Sequence, residues 1–140
     1  MLRIVLIALS AAGLAVGCQS ARATPPTASL IGTSWVAEDI DGRAVIERTE
    51  STLSFDTVDR VSGQTACNRY FGGVELGDGT IRVKSTGSTR MACAPEIMEQ
   101  ESRFLDGLAA ARAFRAEDGK LLLLDDAGRV RVKLAPRAPR

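Results

Sequence analysis

Arg129-Val130-Arg131-Val132-Lys133-Leu134 decides the fold class. Apolar and basic residues alternate without a break. A period of two puts Val130, Val132 and Leu134 on a core face and the cations in water, the pattern of a half-buried strand. Upstream, Asp126-Ala127-Gly128 turns the chain. Lys120-Leu121-Leu122-Leu123-Leu124-Asp125 is a short apolar run fit for a buried strand. Asp118-Gly119 is a hairpin pair that joins it to a strand at Ala113-Phe114-Arg115-Ala116. The same grammar continues toward the amino end. Thr80-Ile81-Arg82-Val83-Lys84 alternates, Gly77-Asp78-Gly79 turns, and residues 70–76 and 58–64 read as strands. Thr52-Leu53-Ser54-Phe55-Asp56 aims Leu53 and Phe55 inward, and Thr33-Ser34-Trp35-Val36-Ala37-Glu38 is the first strand, followed by an Asp41-Gly42 turn. Gly63, Gly72 and Gly73 are expected at bulges or sharp bends.

One segment breaks this rhythm. From Pro95, a residue favoured in a first helical turn, Ile97, Met98, Phe104, Leu105 and Leu108 recur at helical spacing. Glu101 falls on the same stripe. It reads either as a partly buried carboxylate paired with a nearby arginine, which is preferred, or as a functional acid. About seven or eight strands and one helix give an α+β, mainly β fold: a small curled antiparallel sheet, β-barrel-like, with the helix over an open side or end.

The amino end reads as an export signal. Met1-Leu2-Arg3 is a short basic n-region, and residues 4–16 are uncharged and largely apolar, closed by Gly17 before Cys18. The alternative is a core helix at the start of the protein. The chain therefore divides into a signal peptide (residues 1–17), a lipidated flexible tether (18–29), the folded domain (30–135) and a disordered tail (136–140). Arg22, Pro25 and Pro26 in the tether, and Pro136 and Pro139 in the tail, keep those stretches extended.

Charge and composition narrow the function. All the acidic residues, but not Arg22, Arg137 or Arg140, lie within residues 31–135, so the domain is mildly acidic and lacks the basic footprint of a nucleic-acid binder. Histidine is absent. That removes the commonest general base and metal ligand and every Ser-His-Asp or Cys-His scheme. A non-enzymatic protein without cofactor or metal is expected.

The chain has 3 cysteines, an odd count for a secreted protein. Cys18 follows Leu14-Ala15-Val16-Gly17, which resembles the lipobox of bacterial lipoproteins, although Leu14 stands one residue further out than the pattern prefers. The alternative is an ordinary cleavage site with a free thiol. Lipidation implies membrane anchorage by several acyl chains, and Gln19 in place of the inner-membrane aspartate signal leans toward the periplasmic face of the outer membrane. Cys67 and Cys93 then form an even pair in an oxidising compartment, read as a disulfide rather than as two buried thiols. Closing that loop removes about 3.5 kcal/mol of unfolded-chain entropy.

Several of these segments together resemble the META domain, or HslJ-like, family of bacterial secreted and lipoprotein domains. The matching elements are Gly32-Thr33-Ser34-Trp35, Leu53-Ser54-Phe55-Asp56, Val61-Ser62-Gly63 leading to Cys67-Asn68-Arg69-Tyr70, Thr89-Arg90-Met91-Ala92-Cys93, the helix with Glu101, Phe104 and Leu108, and Leu121-Leu122-Leu123-Leu124. One departure lies at Gly63-Gln64-Thr65-Ala66-Cys67, where family members often carry another glycine near the cysteine. The resemblance implies a small curled β fold with one helix, a stress-response or envelope setting, and family-motif residues Trp35, Asn68, Tyr70, Thr89, Met91 and Glu101. It brings no catalytic mechanism. By fold analogy with secretin pilot lipoproteins it suggests a hydrophobic cleft for lipid or peptide.

Each motif residue has two readings. Trp35 lines a ligand cleft or anchors the core; Asn68 binds a ligand or bonds its own backbone in a turn. Thr89, Arg90 and Met91 form a recognition loop or simply deliver Cys93 to Cys67. The expected function is an envelope-stress or binding and stabilising lipoprotein, held at the membrane by its lipid and meeting an envelope protein or hydrophobic ligand. Alternatives are a pilot-type protein with a ligand near Phe104, Leu108 and Trp35, or an inhibitor of a secreted hydrolase acting through residues 89–93.

Overall fold

The computed structural model describes residues 29–138. The expected signal peptide, the expected lipidation site Cys18 and the expected tether as far as residue 28 lie outside them. The described residues form nine strands and one helix: β1 (Ser34–Ile40), β2 (Arg43–Ala44), β3 (Thr52–Thr57), β4 (Arg60–Gln64), β5 (Arg69–Gly77), β6 (Thr80–Ser88), α1 (Pro95–Ala110), β7 (Ala113–Glu117), β8 (Lys120–Leu124) and β9 (Val130–Pro136). All pairings are antiparallel and mostly between sequence neighbours. The sheet curls until β9 pairs with β1, from Ile40↔Val132 to Trp35↔Pro136. The seam between β6 and β7 is the thinnest, with Thr80↔Ala113 as its one paired position. α1 enters the chain at that seam and lies against β9, β6, β1 and β8.

The curl encloses one apolar core. Leu53, Phe55, Leu121, Leu123, Val132 and Leu134 point into it from the strands, and Phe104 and Leu108 close it from α1. Tyr70 meets Phe104 edge to face, ring centres 5.9 Å apart. Two glycines mark close approaches. A Cβ on Gly107 would stand 2.8 Å from Val132 Cγ2, so the helix can lie this near β9 only without one. A Cβ on Gly63 would stand 2.0 Å from the Thr52 carbonyl oxygen. Gly63 thus lies in regular register opposite Tyr70, whereas the irregularity on β5 falls between Gly72 and Val74.

Two further expectations change. Val130 is not in the core: it is 37% exposed. Leu123 pairs with Val132 but Leu124 pairs with Val130, so Arg131 is an extra residue and the alternation flips after it. The tail begins later than expected, because Pro136 still pairs in β9 and Arg137 N–H donates to Ser34 O at 2.8 Å. β2, only two residues long, has no pattern in the sequence from which to read it.

Candidate functional site

The family-motif residues gather where the β4–β5 turn meets the segment that leads into α1. Thr65 and Asn68 bracket that turn. Thr65 N–H donates to Asn68 O at 2.8 Å, and Ala66 between them holds a left-handed φ of 102°. Glycine suits that φ better than alanine. Cys67 and Cys93 form a disulfide with Cα atoms 6.0 Å apart, binding the turn to the pre-helix segment.

Glu101 sits beneath the turn, buried on the inner face of α1. The expected arginine partner is not there: among the described residues Glu101 has no ion pair. Its carboxylate instead accepts from the Thr65 hydroxyl, from Asn68 N–H at 3.0 Å and from Asn68 Nδ2 at 3.1 Å. Short polar groups do what a cation does elsewhere, since a buried carboxylate is tolerated when several donors satisfy it.

Asn68 passes this fixation outward. Its side chain is 2% exposed and binds both main-chain groups of Met91: Oδ1 accepts from Met91 N–H at 2.7 Å, and Nδ2 donates to Met91 O at 3.2 Å. The amide thereby imitates one rung of a β-ladder. Oδ1 also accepts from the Thr89 hydroxyl at 2.9 Å, and Thr89 N–H donates to Arg69 O at 3.0 Å. Asn68 does not bond its own backbone; it clamps a strand-like neighbour. Above the clamp, the Met91 side chain is 58% exposed, and Thr89, Arg90, Ala92 and Ala94 are exposed too.

Tyr70 lies deeper, donating its hydroxyl to Thr52 O at 2.8 Å. Burial, then the nearby Asp56 carboxylate, pushes its pKa above the ordinary phenol range. Trp35 takes no part in this network. It packs on the core edge, donates Nε1–H to Thr33 Oγ1 at 2.8 Å, and borders a cleft of about 610 Å³ with Gly32, Pro136 and Ala138. Phe104 and Leu108 are fully buried and do not line that cleft. The structure thus brings together Asn68, Thr89, Met91, Glu101 and both disulfide cysteines, while Tyr70 underlies them and Trp35 stands apart.

Two contributors went unread in the sequence. Thr65 has a weak signal, a threonine three residues before an asparagine in a turn. Gln100, 0% exposed, accepts from Ile46 N–H and donates to Thr49 and Ser51 hydroxyls, tying α1 to the β2–β3 loop. Its polarity beside Glu101 on a core-facing helix was the available clue.

Chemically, Thr65 and Glu101 pair a hydroxyl with a base, but Thr65 is 0% exposed and its proton is committed to the carboxylate. A substrate carbonyl has no path to that oxygen. Among the described residues no group of three or more Cys, Asp or Glu is placed to hold a metal ion.

Comparison with known proteins agrees with the fold. The META domain model matches residues 28–138. An NMR structure of a protein from Burkholderia xenovorans superposes with a TM-score of 0.67 at 26% identity, covering 95% of this chain and 100% of that one. A second protein solved by NMR gives a TM-score of 0.64 at 24% identity over 80% of this chain and 95% of that one, a likeness of fold alone. No curated protein matches the chain. With the family model spanning nearly all the described residues, the chain belongs to the META domain family.

Proposed function

We propose that this META domain is a non-enzymatic binding module of the bacterial cell envelope, anchored by lipid on Cys18 and presenting residues 89–94 to a protein partner. One observation carries the reading: a buried asparagine, itself locked by a buried glutamate, holds both main-chain groups of Met91 and so fixes an exposed loop. A loop needed only to deliver Cys93 to Cys67 has no use for that second clamp. Preorganisation of this kind lowers the entropy lost on binding. The sequence resemblance supplies the setting, an envelope under stress, and the lipobox-like Leu14-Ala15-Val16-Gly17-Cys18 supplies the anchor.

The test places a photo-crosslinking residue at Ala92 of the full chain in its host. A discrete adduct is expected, absent in an Arg90→Ala/Met91→Ala variant and redistributed from the membrane in Cys18→Ser. No adduct, or one indifferent to the double substitution, refutes the reading. The Trp35 cleft favours a second function, the holding of a small apolar ligand against Trp35 and Pro136. Native mass spectrometry of envelope-purified protein and quenching of Trp35 fluorescence by an added fatty acid test it; an apo mass with unquenched emission excludes it.

A further inference from the structure

The clamped loop is an exposed stretch held fast between β6 and α1. Residues 89–94 belong to no helix or strand, and all but Cys93 are exposed. They are fastened at alternate positions: Thr89 to Arg69 and Asn68, Met91 to Asn68, Cys93 to Cys67. Between these fastened positions Arg90 and Ala92 are exposed. The main-chain groups of Arg90 and Ala92, and the Arg90 guanidinium, have no hydrogen bond or ion pair among the described residues. The result is a short fixed segment with open main-chain groups and one long cation among them.

Resting on the partner-binding reading above, we propose that residues 89–94 enter the substrate cleft of a trypsin-like endopeptidase as an inhibitory strand, with Arg90 in the specificity pocket. Such clefts take an extended peptide through main-chain hydrogen bonds and choose it by one side chain. Only Arg90 and Ala92 offer open main-chain groups, fewer than a usual strand of about 5–6 residues supplies, which disfavours pairing with a second copy. A lone arginine on an acidic domain does not make a nucleic-acid surface. The geometry also protects the loop. If the enzyme's serine attacks the Arg90 carbonyl, an ester forms, the Arg90–Met91 bond breaks and the Met91 amine leaves with the serine's proton. Asn68 and the Cys67–Cys93 disulfide keep that amine beside the ester. It attacks again, restores the peptide bond and returns the proton to the serine.

The experiment titrates detergent-solubilised full chain against trypsin with a chromogenic arginine substrate. Competitive inhibition is expected with a Ki of about 1 µM or lower. Arg90→Ala raises Ki by roughly 100-fold, and Arg90→Phe, a surface change, moves inhibition from trypsin to chymotrypsin. Asn68→Ala becomes a substrate cut between Arg90 and Met91, as mass spectrometry reads; if that variant does not fold, the Arg90→Phe switch decides alone. Absence of inhibition at about 100 µM, an Arg90→Phe variant that still inhibits trypsin, or wild-type chain cut at Arg90 as fast as an unstructured peptide overturns the proposal. If the Ala92 adduct forms in cells while trypsin-like enzymes are untouched, the partner reading stands and only this proposal falls.

Discussion

Glu101 is the residue on which the site turns. Taking a carboxylate out of water costs several kcal/mol, and here no cation offsets it. Three charge-assisted hydrogen bonds do, from Thr65 and twice from Asn68. Glu101→Ala therefore strands buried donors and is expected to cost about 3 kcal/mol in urea unfolding, with Glu101→Gln losing about half as much; an unchanged midpoint for the alanine variant would contradict the account. The opposite sign is expected at Ala66, whose φ of 102° suits glycine. Ala66→Gly relieves more strain than it adds in unfolded-chain freedom and stabilises by about 0.5 kcal/mol, against the usual cost of that exchange. Tyr70, the only tyrosine, gives a pH test. Burial raises its pKa, so the native state keeps the phenol proton while the unfolded chain releases it above about pH 10. The contribution is whole below that pH and lost as pH rises further, at up to about 1.4 kcal/mol per pH unit; Tyr70→Phe abolishes that slope. Sequence alone located Glu101 by its wrong polarity on an apolar stripe. It could not name Asn68 as the partner, because which turn lies under a helix is set by how the sheet curls, not by local spacing.

At the scale of elements, local rules wrote most of the fold. Asp118-Gly119 is a two-residue hairpin turn with φ of 51° and 74°, as the pair implies. The helix starts at Pro95 as read. What escaped depended on pairing: Val130 faces out because Arg131 is extra on β9, and β9 continues to Pro136 because β1 is there to pair with it. α1 leaves one local rule unused. Its N-cap is Ala94, with an extended backbone suited to capping but no side-chain acceptor. Ala94→Asp supplies an acceptor and a favourable charge for the helix N-terminus, and is expected to add about 1 kcal/mol. A thermal melt checks it, and a lowered Tm would mean that the loop cannot accommodate the cap. The other end is already covered, since the Arg112 guanidinium donates to Ala109 O at 2.8 Å and Ala111 O at 2.7 Å.

For the whole molecule, the question is what holds the helix segment to a sheet that is thinnest where that segment enters. At the β6–β7 seam only Thr80 and Ala113 pair, and the chain between them carries the loop and α1. Two fasteners secure it to the β4–β5 turn: the disulfide, covalent and partly exposed, and the Asn68–Glu101 clamp, noncovalent and buried. They act on different states. The disulfide works chiefly by restricting the unfolded chain, and a Cys67→Ser/Cys93→Ser variant is expected to lose about 3.5 kcal/mol. The clamp works in the native state and sets local order. Amide hydrogen exchange separates the two. Met91 N–H, on an exposed residue but bonded to Asn68, is expected to exchange about 100-fold more slowly than the unpaired N–H groups of Arg90 and Ala92. Removing the disulfide lowers global stability yet leaves that contrast among neighbours under native conditions, whereas Glu101→Ala erases it even with the disulfide intact. Equal exchange at residues 90, 91 and 92 in the wild-type chain would show that the clamp does not order the loop, and the partner-binding reading would lose its foundation.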